Sequence, residues 1–280
     1  MINITVYLTH SLVTDELTLK GKNVIVIDAL RATSTIPAAL ANGAKEVIPT
    51  ENAATAVRVA KGSANALLCG ERGGKIIEGF NLGNSPLEYT SEVIKDKSLV
   101  FSTTNGTVSI SKAKYSKNCI IASFVNLKAV VEYLKDLNED FVIICSGKLN
   151  NFCIEDAVCA GMIINKLIDK NEENYSLSDP ENAVVNLAKT FAYEKSKISS
   201  TKVLNMMKIS EHGKYLMELG FENDLVFCST IDSIPSIPML KGGIIKLKEQ
   251  FEGESNQKAQ MKKLSLTTDK EEVSTTKDVA

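Results

Sequence analysis

Residues 24–35 read VIVIDALRATST. The first four are apolar and β-branched, which predicts a buried strand that ends at Asp28. Hydroxyl side chains then lead into an apolar stretch with helical spacing, so a helix is expected over Ser34–Asn42, ended by Gly43. A buried strand that passes directly into a helix is the first half of a strand–helix–strand unit, which predicts an α/β protein with a parallel sheet.

Strand-like and helix-like stretches alternate along most of the chain. Short apolar runs predict the strands Ile4–Leu8, Val24–Asp28, Glu46–Pro49, Ala66–Cys69, Leu99–Ser102, Ile120–Ser123, Phe141–Cys145 and Leu225–Cys228. Helical spacing predicts the helices Ser34–Asn42, Ala53–Lys61, Gly106–Ala113, Leu127–Leu137, Glu155–Lys170, Ala183–Tyr193 and Glu211–Leu219. Because the strands are almost continuously apolar, both faces of the sheet must be covered, which predicts a three-layer α/β/α fold with a mostly parallel mixed sheet.

The chain is expected to form one catalytic domain over residues 1–250, with a helical excursion at 171–220. Further strands are expected within 234–247, and Pro235 and Pro238 predict that they lie at an edge of the sheet. Residues 251–280 carry many charges of both signs and no aromatic residue beyond Phe251. This segment is therefore expected to be a disordered or appended tail.

The charge balance and the apolar pattern restrict the partners. The 280 residues include 32 basic and 34 acidic side chains, with a formal net charge of −2, so no nucleic-acid partner is expected. The apolar run Phe141–Cys145 is too short to span a membrane, and Met1–His10 alternates like a strand rather than a signal peptide. Six cysteines without a CxxC pair favour a reducing compartment, so the protein is expected to be cytoplasmic.

Histidine and arginine are scarce in this chain. The two histidines, His10 and His212, are too few for a His-rich metal site, and histidine is expected to be largely absent from the functional pocket. Only three of the 32 basic side chains are arginine. Two of them, Arg31 and Arg72, directly follow predicted strands, where a planar two-pronged donor suits an anionic ligand.

Polar residues that follow the strands form the candidate site, because ligands of open α/β sheets bind beyond the carboxyl ends of the strands. Asp28, the last residue of the predicted strand 24–28, offers a ligand for a divalent cation. Arg31, Thr33 and Ser34 suit an anion near the start of a helix. A helix N-cap with a salt bridge is the structural alternative for these residues.

A glycine-rich loop follows the strand at 66–69. It places Glu71, a metal-ligand type of residue, beside Arg72, an oxyanion-binding type. The next loop, 79–86, is rich in turn-forming residues, and its Asn84 and Ser85 are candidates to contact a substrate. The alternative for this second loop is a plain connection.

The strand at 99–102 is followed by hydroxyl, amide and glycine residues. Thr103, Thr104, Asn105 and Gly106 predict an anion-binding loop between a strand and a helix. The loop lacks the lysine of a nucleotide P-loop. An extended helix cap is the alternative.

The strand at 141–145 ends in Cys145 and is followed by Ser146 and Gly147, and a helix then begins with Glu155 and Asp156. Two acidic residues in a first helical turn are also favoured by the helix dipole alone, which is the structural alternative. Together with the carboxylates that follow the earlier strands, however, they provide enough oxygen ligands for a magnesium site.

Taken together, the residues that follow the predicted strands indicate an anion-binding pocket with carboxylates, two arginines and many hydroxyl groups. This set of groups fits magnesium-assisted phosphoryl chemistry. The common phosphatase designs do not fit. A cysteine-nucleophile design is excluded, because none of the cysteines considered has an arginine six residues later. An Asp-x-Asp design is excluded, because Leu30 stands two residues after Asp28. An Arg-His-Gly motif is not present either.

The sequence resembles the 2-phosphosulfolactate phosphatase family, which acts in coenzyme M biosynthesis. The resemblance spans roughly residues 1–245, and residue 81 is Asn where Asp is expected, which weakens any metal role at that position. The shared stretches are 26–35 (VIDALRATST), 70–73 (GERG), 79–86 (GFNLGNSP), 103–107 (TTNGT) and the pair Glu155-Asp156 ahead of Ala160-Gly161.

The resemblance implies the fold of that family and a magnesium-dependent hydrolase that converts 2-phospho-3-sulfolactate to 3-sulfolactate and inorganic phosphate. Related 2-phospho-hydroxy acids are expected as further substrates, and a homodimer is expected. The competing hypothesis is a binding protein or sensor for a small phosphorylated or sulfonated acid. Carboxylates beside the anion loops disfavour that hypothesis, because they repel an anion unless a cation intervenes.

The residue roles follow from chemical type. The hypothesis makes Asp28, Glu71 and Asp156 the magnesium ligands, with Glu155 in reserve, and has the two arginines clamp the anionic groups. The nucleophile is Asp28, a water molecule activated by the metal, or Cys145. The substrate contacts are expected from Thr33, Ser34, Asn84, Ser85, Thr103, Thr104, Asn105, Gly106, Ser146 and Gly147.

Overall fold

The structure is a computed structural model and describes residues 1–63, 65–169 and 172–253. Its strands are β1 (Ile2–Tyr7), β2 (Asn23–Ile27), β3 (Glu46–Pro49), β4 (Ala66–Arg72), β5 (Lys75–Ile76), β6 (Ser98–Ser102), β7 (Asn118–Ala122), β8 (Phe141–Cys145), β9 (Tyr175–Ser176), β10 (Tyr193–Glu194), β11 (Lys197–Ile198), β12 (Pro238–Lys241) and β13 (Ile244–Leu247). Its α-helices are α1 (Ala32–Ala41), α2 (Ala53–Ala60), α3 (Ser91–Ile94), α4 (Gly106–Lys112), α5 (Leu127–Leu137), α6 (Ile154–Ile168), α7 (Asp179–Phe191), α8 (Ser200–Ile209), α9 (Glu211–Glu218) and α10 (Glu222–Cys228).

Within the described residues, eleven strands form one sheet in the order β5-β4-β6-β3-β13-β12-β7-β2-β8-β1-β9. At its centre, β2 pairs in parallel with both β7 and β8, so that Ile25 lies opposite Ile120 and Ile143. Every residue of β2 and β8 is buried, because helices cover both faces of the sheet. The predicted three-layer α/β/α fold with a mostly parallel mixed sheet is confirmed.

The hairpin β12–β13 lies inside the sheet rather than at its edge. Strand β12 pairs antiparallel with β7, and β13 pairs antiparallel with β3, so the hairpin joins two parallel groups of strands. The prediction from the two prolines was therefore wrong. Pro238 is tolerated in the interior because it is the first residue of β12, a position where a strand accepts proline.

The predicted strand Leu225–Cys228 was also wrong, because these residues form the end of helix α10. Leu225 and Cys228 are both buried and stand three residues apart, which is one face of a helix. Acidic residues at Glu222 and Asp224 lie in the first turn, where the helix dipole favours them. An apolar run of four residues does not separate a strand from a short buried helix.

The segment predicted as a helical excursion, 171–220, is fixed to the core at several points. Strand β9 extends the sheet beside β1. Helix α7 begins with a capping box between Ser178 and Glu181, and Oε1 of Glu181 accepts a 2.6 Å hydrogen bond from the backbone N–H of Val6. Helix α7 also crosses α6 so closely that a Cβ atom on Gly161 would lie 1.9 Å from the carbonyl oxygen of Val184.

The chain divides into two units, of which the first is Met1–Lys246 and the second begins at Leu247. In the second unit, residues 248–253 are helical and contain an ion pair between Lys248 and Glu252 at 2.9 Å. The rest of the predicted tail, 254–280, lies outside the described residues, and the domain limits 1–250 stay a prediction. None of the helices in the described ranges combines the length and the apolar character that crossing a bilayer requires.

Candidate active site

A cavity of about 290 Å³ opens at the carboxyl ends of β2, β4, β6 and β8, as the rule for open α/β sheets predicts. Helix α9 forms the remaining wall. The residues predicted for the site that line this cavity are Asp28, Arg31, Glu71, Asn84, Thr104 and Asn105.

Asp28 is the first residue after β2 and is buried. Its backbone N–H donates to Oγ1 of Thr33 at 2.9 Å, and its backbone carbonyl accepts from the N–H of Thr33 at 2.9 Å. Burial and the nearby carboxylates of Asp156 and Glu71 raise the pKa of Asp28 to about 8. A buried acid among other acids favours a bound cation or proton, because either one removes the like-charge repulsion.

Gly106 begins α4 beside Asp28, although it does not line the cavity. A Cβ atom at Gly106 would lie 2.5 Å from Oδ2 of Asp28 and 2.5 Å from Cβ of Ala32. The glycine therefore makes room for the Asp28 carboxylate. Its predicted contact with substrate stays a prediction.

Asp156 joins the ends of two central strands. Its Oδ1 accepts a 2.8 Å hydrogen bond from the N–H of Ala29, and its Oδ2 accepts one of 2.9 Å from the N–H of Gly147. Burial and the charge of Glu155 raise the pKa of Asp156 to about 8. The carboxylate thereby positions the loops after β2 and β8, and its predicted role as a magnesium ligand stays a prediction.

Glu71 links the loops after β4 and β6 and lines the cavity. Its Oε1 accepts a 2.7 Å hydrogen bond from the N–H of Thr104, and its Oε2 accepts one of 2.8 Å from the N–H of Gly74. The hydroxyl of Thr104 lies 3.2 Å from the same Oε2. These bonds hold the Glu71 carboxylate at one place in the cavity wall.

Arg31 lines the cavity, but its charge is already paired. Nη1 donates to Oδ2 of Asp224 at 2.6 Å, Nη2 donates to the carbonyl of Gly74 at 2.8 Å, and the guanidinium lies 4.3 Å from the ring centre of Phe221. The second carboxylate oxygen of Asp224 accepts a 2.6 Å hydrogen bond from the hydroxyl of Ser85. Because Arg31 and Asp224 are both buried, this pair fixes the guanidinium rigidly.

Arg72 is not brought to the cavity. Its Nη1 donates to the carbonyl of Ser102 at 3.1 Å, and its Nη2 donates to the hydroxyl of Ser102 at 2.9 Å. Glu71 and Arg72 are consecutive residues of β4, and consecutive side chains of a strand point to opposite faces. Glu71 therefore reaches the cavity, whereas Arg72 binds Ser102 at the end of β6.

Several of the other predicted residues form a buried framework behind the cavity. Ser34 donates to the carbonyl of Ala29 at 2.9 Å, and Thr103 and Thr107 exchange hydrogen bonds of 3.0 Å between side chain and backbone. Their predicted contact with substrate stays a prediction. The predicted residues that do not line the cavity are Thr33, Ser34, Arg72, Ser85, Thr103, Gly106, Cys145, Ser146, Gly147, Glu155 and Asp156.

Cys145 is fully buried at the end of β8. Burial, with the charges of Asp156 and Cys159, raises the pKa of the Cys145 thiol well above its ordinary value. Because the thiolate is the nucleophilic form, this environment argues against Cys145 as the nucleophile.

Asn84 and Asn105 are the amide side chains of the cavity. Oδ1 of Asn105 accepts a 3.1 Å hydrogen bond from the N–H of Leu149, which closes the loop after β8 onto the cavity. In contrast, Oδ1 of Asn84 is buried and has no hydrogen-bond partner within the described part of the chain. A buried acceptor without a partner is a natural contact for a ligand or a metal-bound water that donates a hydrogen bond.

The cavity also contains residues that were not among the predicted site residues. Nδ1 of His212, on α9, lies 3.1 Å from Oε1 of Glu155, so the expectation that histidine is largely absent from the pocket was wrong. Nζ of Lys148 lies 3.0 Å from Glu211 and 4.9 Å from the ring centre of Tyr215. Lys148 could have been predicted from the sequence, because it lies in the loop that follows β8. The residues of α9 could not, since only the tertiary fold brings that helix to the cavity.

A family model described as 2-phosphosulpholactate phosphatase matches residues 7–243. A protein of Caldanaerobacter subterraneus subsp. tengcongensis, named probable 2-phosphosulfolactate phosphatase, is 40% identical over 247 residues, which cover 88% of this chain and 98% of that protein. A protein of Thermotoga maritima with the same name is 42% identical over 228 residues, 81% of this chain and 93% of its own length. The chain therefore belongs to the 2-phosphosulpholactate phosphatase family.

Proposed function

We propose that this protein is a phosphoric monoester hydrolase that converts 2-phospho-3-sulfolactate to 3-sulfolactate and inorganic phosphate. Family membership supports this activity. The observation that carries the proposal is the cavity at the strand ends, which is lined by two carboxylates, Asp28 and Glu71, and by the cationic side chain of Lys148. Related 2-phospho-hydroxy acids are proposed as further substrates, because they present the same phosphate and carboxylate groups.

The donor groups of the cavity fit magnesium. Asp28 and Glu71 provide the hard carboxylate oxygens that Mg²⁺ prefers, and the crowding of acids around Asp28 favours a cation there. Asp28 and Glu71 are proposed as the ligands, with the carboxylate of Asp156 behind Asp28. A bound Mg²⁺ would offset the charge of the phosphoryl oxygens and orient the ester.

The chain's own residues bind and orient the substrate. The ammonium of Lys148 is proposed to bind the sulfonate or the carboxylate, and the amide of Asn84 and the hydroxyl of Thr104 to orient the phosphate. Asp28 then has one of two roles. It attacks phosphorus while the ester oxygen leaves, which gives an acyl phosphate that water hydrolyses, or it accepts the proton of the attacking water.

Metal dependence tests the proposed activity. Purified protein is expected to release phosphate from 2-phosphosulfolactate and from 2-phospholactate in the presence of Mg²⁺. EDTA is expected to abolish the release, and excess Mg²⁺ to restore it. If folded protein releases no phosphate from either substrate, the activity is excluded, and the alternative of a non-catalytic binding protein would then be tested by titrating the same esters with and without metal.

Replacement of Lys148 tests how the substrate is held. Lys148→Met is expected to raise KM by about 10- to 100-fold with a smaller change in kcat, since a hydrogen bond to a charged group contributes about 1.5–3 kcal/mol. Lys128, whose side chain is 67% exposed on α5, provides the matched control. Steady-state kinetics that show an equal KM change for Lys128→Met, or no change for Lys148→Met, would contradict the assignment.

A further inference from the structure

A second group of ligating side chains lies beside the catalytic cavity. Cys153, Glu155 and His212 each offer one ligand atom, and these atoms all lie within 4.8 Å of one another. Cys153 and Glu155 are buried, and the side chain of His212 is only 16% exposed. Two atoms bound to one tetrahedral zinc ion lie about 3.3–3.8 Å apart, because zinc bonds to nitrogen, oxygen and sulfur are about 2.0–2.3 Å long. Movements of about 1–1.5 Å are therefore enough to bring the three groups around one ion.

The fold places these groups through the starts of two helices. Cys153 is the residue that precedes α6, and Glu155 lies in its first turn. His212 lies in the first turn of α9, and its Nδ1 is 3.1 Å from Oε1 of Glu155. Burial would raise the pKa of Glu155, but the hydrogen bond and the charge of His212 hold it below its ordinary value. Glu155 and His212 therefore already lie in contact at the place where the ion would bind.

The chemistry of this group differs from that of the proposed magnesium site. A thiol, an imidazole and a carboxylate are the ligands of zinc and similar transition metals, whereas Mg²⁺ prefers oxygen ligands alone. Three protein ligands with an open fourth position are also typical of zinc sites that exchange a ligand. The acids Glu155, Asp156 and Asp28 all lie near the Cys153 thiol, so the surroundings are negative and favour a divalent cation.

Access to this group comes from a second cavity. This cavity has a volume of about 320 Å³, and Cys153, Glu155 and His212 all line it. His212 lines the catalytic cavity as well. An ion that enters through the second cavity would therefore meet all three ligands without passing Asp28.

We propose that Cys153, Glu155 and His212 form a binding site for a thiophilic divalent cation such as Zn²⁺, separate from the magnesium ligands Asp28 and Glu71. The sulfur–metal bond forms as the S–H bond of Cys153 breaks. The thiol proton passes to solvent, and so does the second ring proton of His212 when the imidazole is charged, because only the neutral imidazole binds a metal.

Cobalt provides a direct test, because Co²⁺ occupies zinc sites and a cobalt–thiolate bond gives a charge-transfer absorption in the near ultraviolet. Metal-free protein is titrated with Co²⁺ under anaerobic conditions without added thiol or substrate. The expected result is a charge-transfer band that saturates at one ion per chain, is accompanied by proton release and disappears when Zn²⁺ is added.

Three variants assign the band to the site. Cys153→Ser is expected to abolish it, and His212→Gln to weaken Co²⁺ binding at least tenfold. Cys228→Ala, which removes a buried thiol of α10, is expected to keep it. Circular dichroism confirms that each variant is folded. A folded wild type without a thiolate band, or a band that survives Cys153→Ser, would overturn the proposal. The absorption needs no substrate, so its outcome is independent of phosphatase activity.

Discussion

Replacement of Asp28 by Asn is expected to reduce kcat/KM for phosphate release by on the order of 10³-fold or more. Asn keeps the size of the side chain and can still accept the hydrogen bond from the N–H of Ala32, but it can neither attack phosphorus, nor accept a proton, nor hold Mg²⁺ as an anion. Phosphate release from 2-phosphosulfolactate at saturating Mg²⁺ measures the effect. Activity within tenfold of the wild type would exclude Asp28 from the reaction.

The same substitution is expected to stabilise the metal-free protein. Burial and the charges of Asp156 and Glu71 raise the pKa of Asp28 from 3.8 to about 8. Between these two values the native state binds more protons than the unfolded state, so the wild type loses stability as the pH rises from about 4 to about 8. Asn does not ionise, and Asp28→Asn therefore avoids this loss.

Urea unfolding in EDTA measures the difference. The free energies of unfolding of the wild type and of Asp28→Asn are expected to be similar near pH 4, with the variant more stable at pH 8. Asp136, an exposed residue of α5, provides the control, and Asp136→Asn is expected to change neither activity nor stability. Loss of both activity and stability in Asp28→Asn would mean that Asp28 supports the fold rather than the reaction.

The sequence predicted the fold well where hydrophobic period and length agree. Strand β2 and helix α5 were predicted with bounds within a residue or two. A continuous β-branched run fits only a strand, and an apolar face that extends over three turns fits only a helix. Short elements were missed or misread, as in α10, because four apolar residues fit a strand and a helix equally well. The hairpin β12–β13 shows the other limit, since the neighbours of a strand depend on the whole topology.

For the candidate site, the rule that ligands bind beyond strand ends was sufficient to place Asp28, Glu71 and Thr104 in one cavity. It was not sufficient to say which of two neighbouring side chains points away from the cavity, and Arg72 does not line the cavity because strand β4 continues through it. His212 could not be found by this rule. It reaches the cavity from a helix more than fifty residues beyond the last predicted motif, at Glu155, and only tertiary packing brings the two together.

Gly70 is expected to be the least replaceable residue behind the site. It pairs with Ser102 between β4 and β6, its φ is +138°, and a Cβ atom would lie 1.9 Å from the carbonyl oxygen of Ser102. A methyl group must therefore push the strands apart at the point where Glu71 and Thr104 begin the cavity. Gly70→Ala is expected to lower the free energy of unfolding by at least about 4 kcal/mol, or to prevent folding.

Gly79→Ala separates this clash from the cost of the backbone conformation. Gly79 also has a positive φ, +79°, but no atom lies within 4 Å of the place where its Cβ would stand. Its replacement is expected to cost about 1 kcal/mol, the usual penalty for a side chain in that region. Urea unfolding of both variants gives the comparison. If Gly70→Ala unfolds at the same urea concentration as Gly79→Ala, the close approach of β4 and β6 does not exclude a side chain at position 70. A difference of several kcal/mol means that the close approach of β4 and β6 requires a residue without a side chain at position 70.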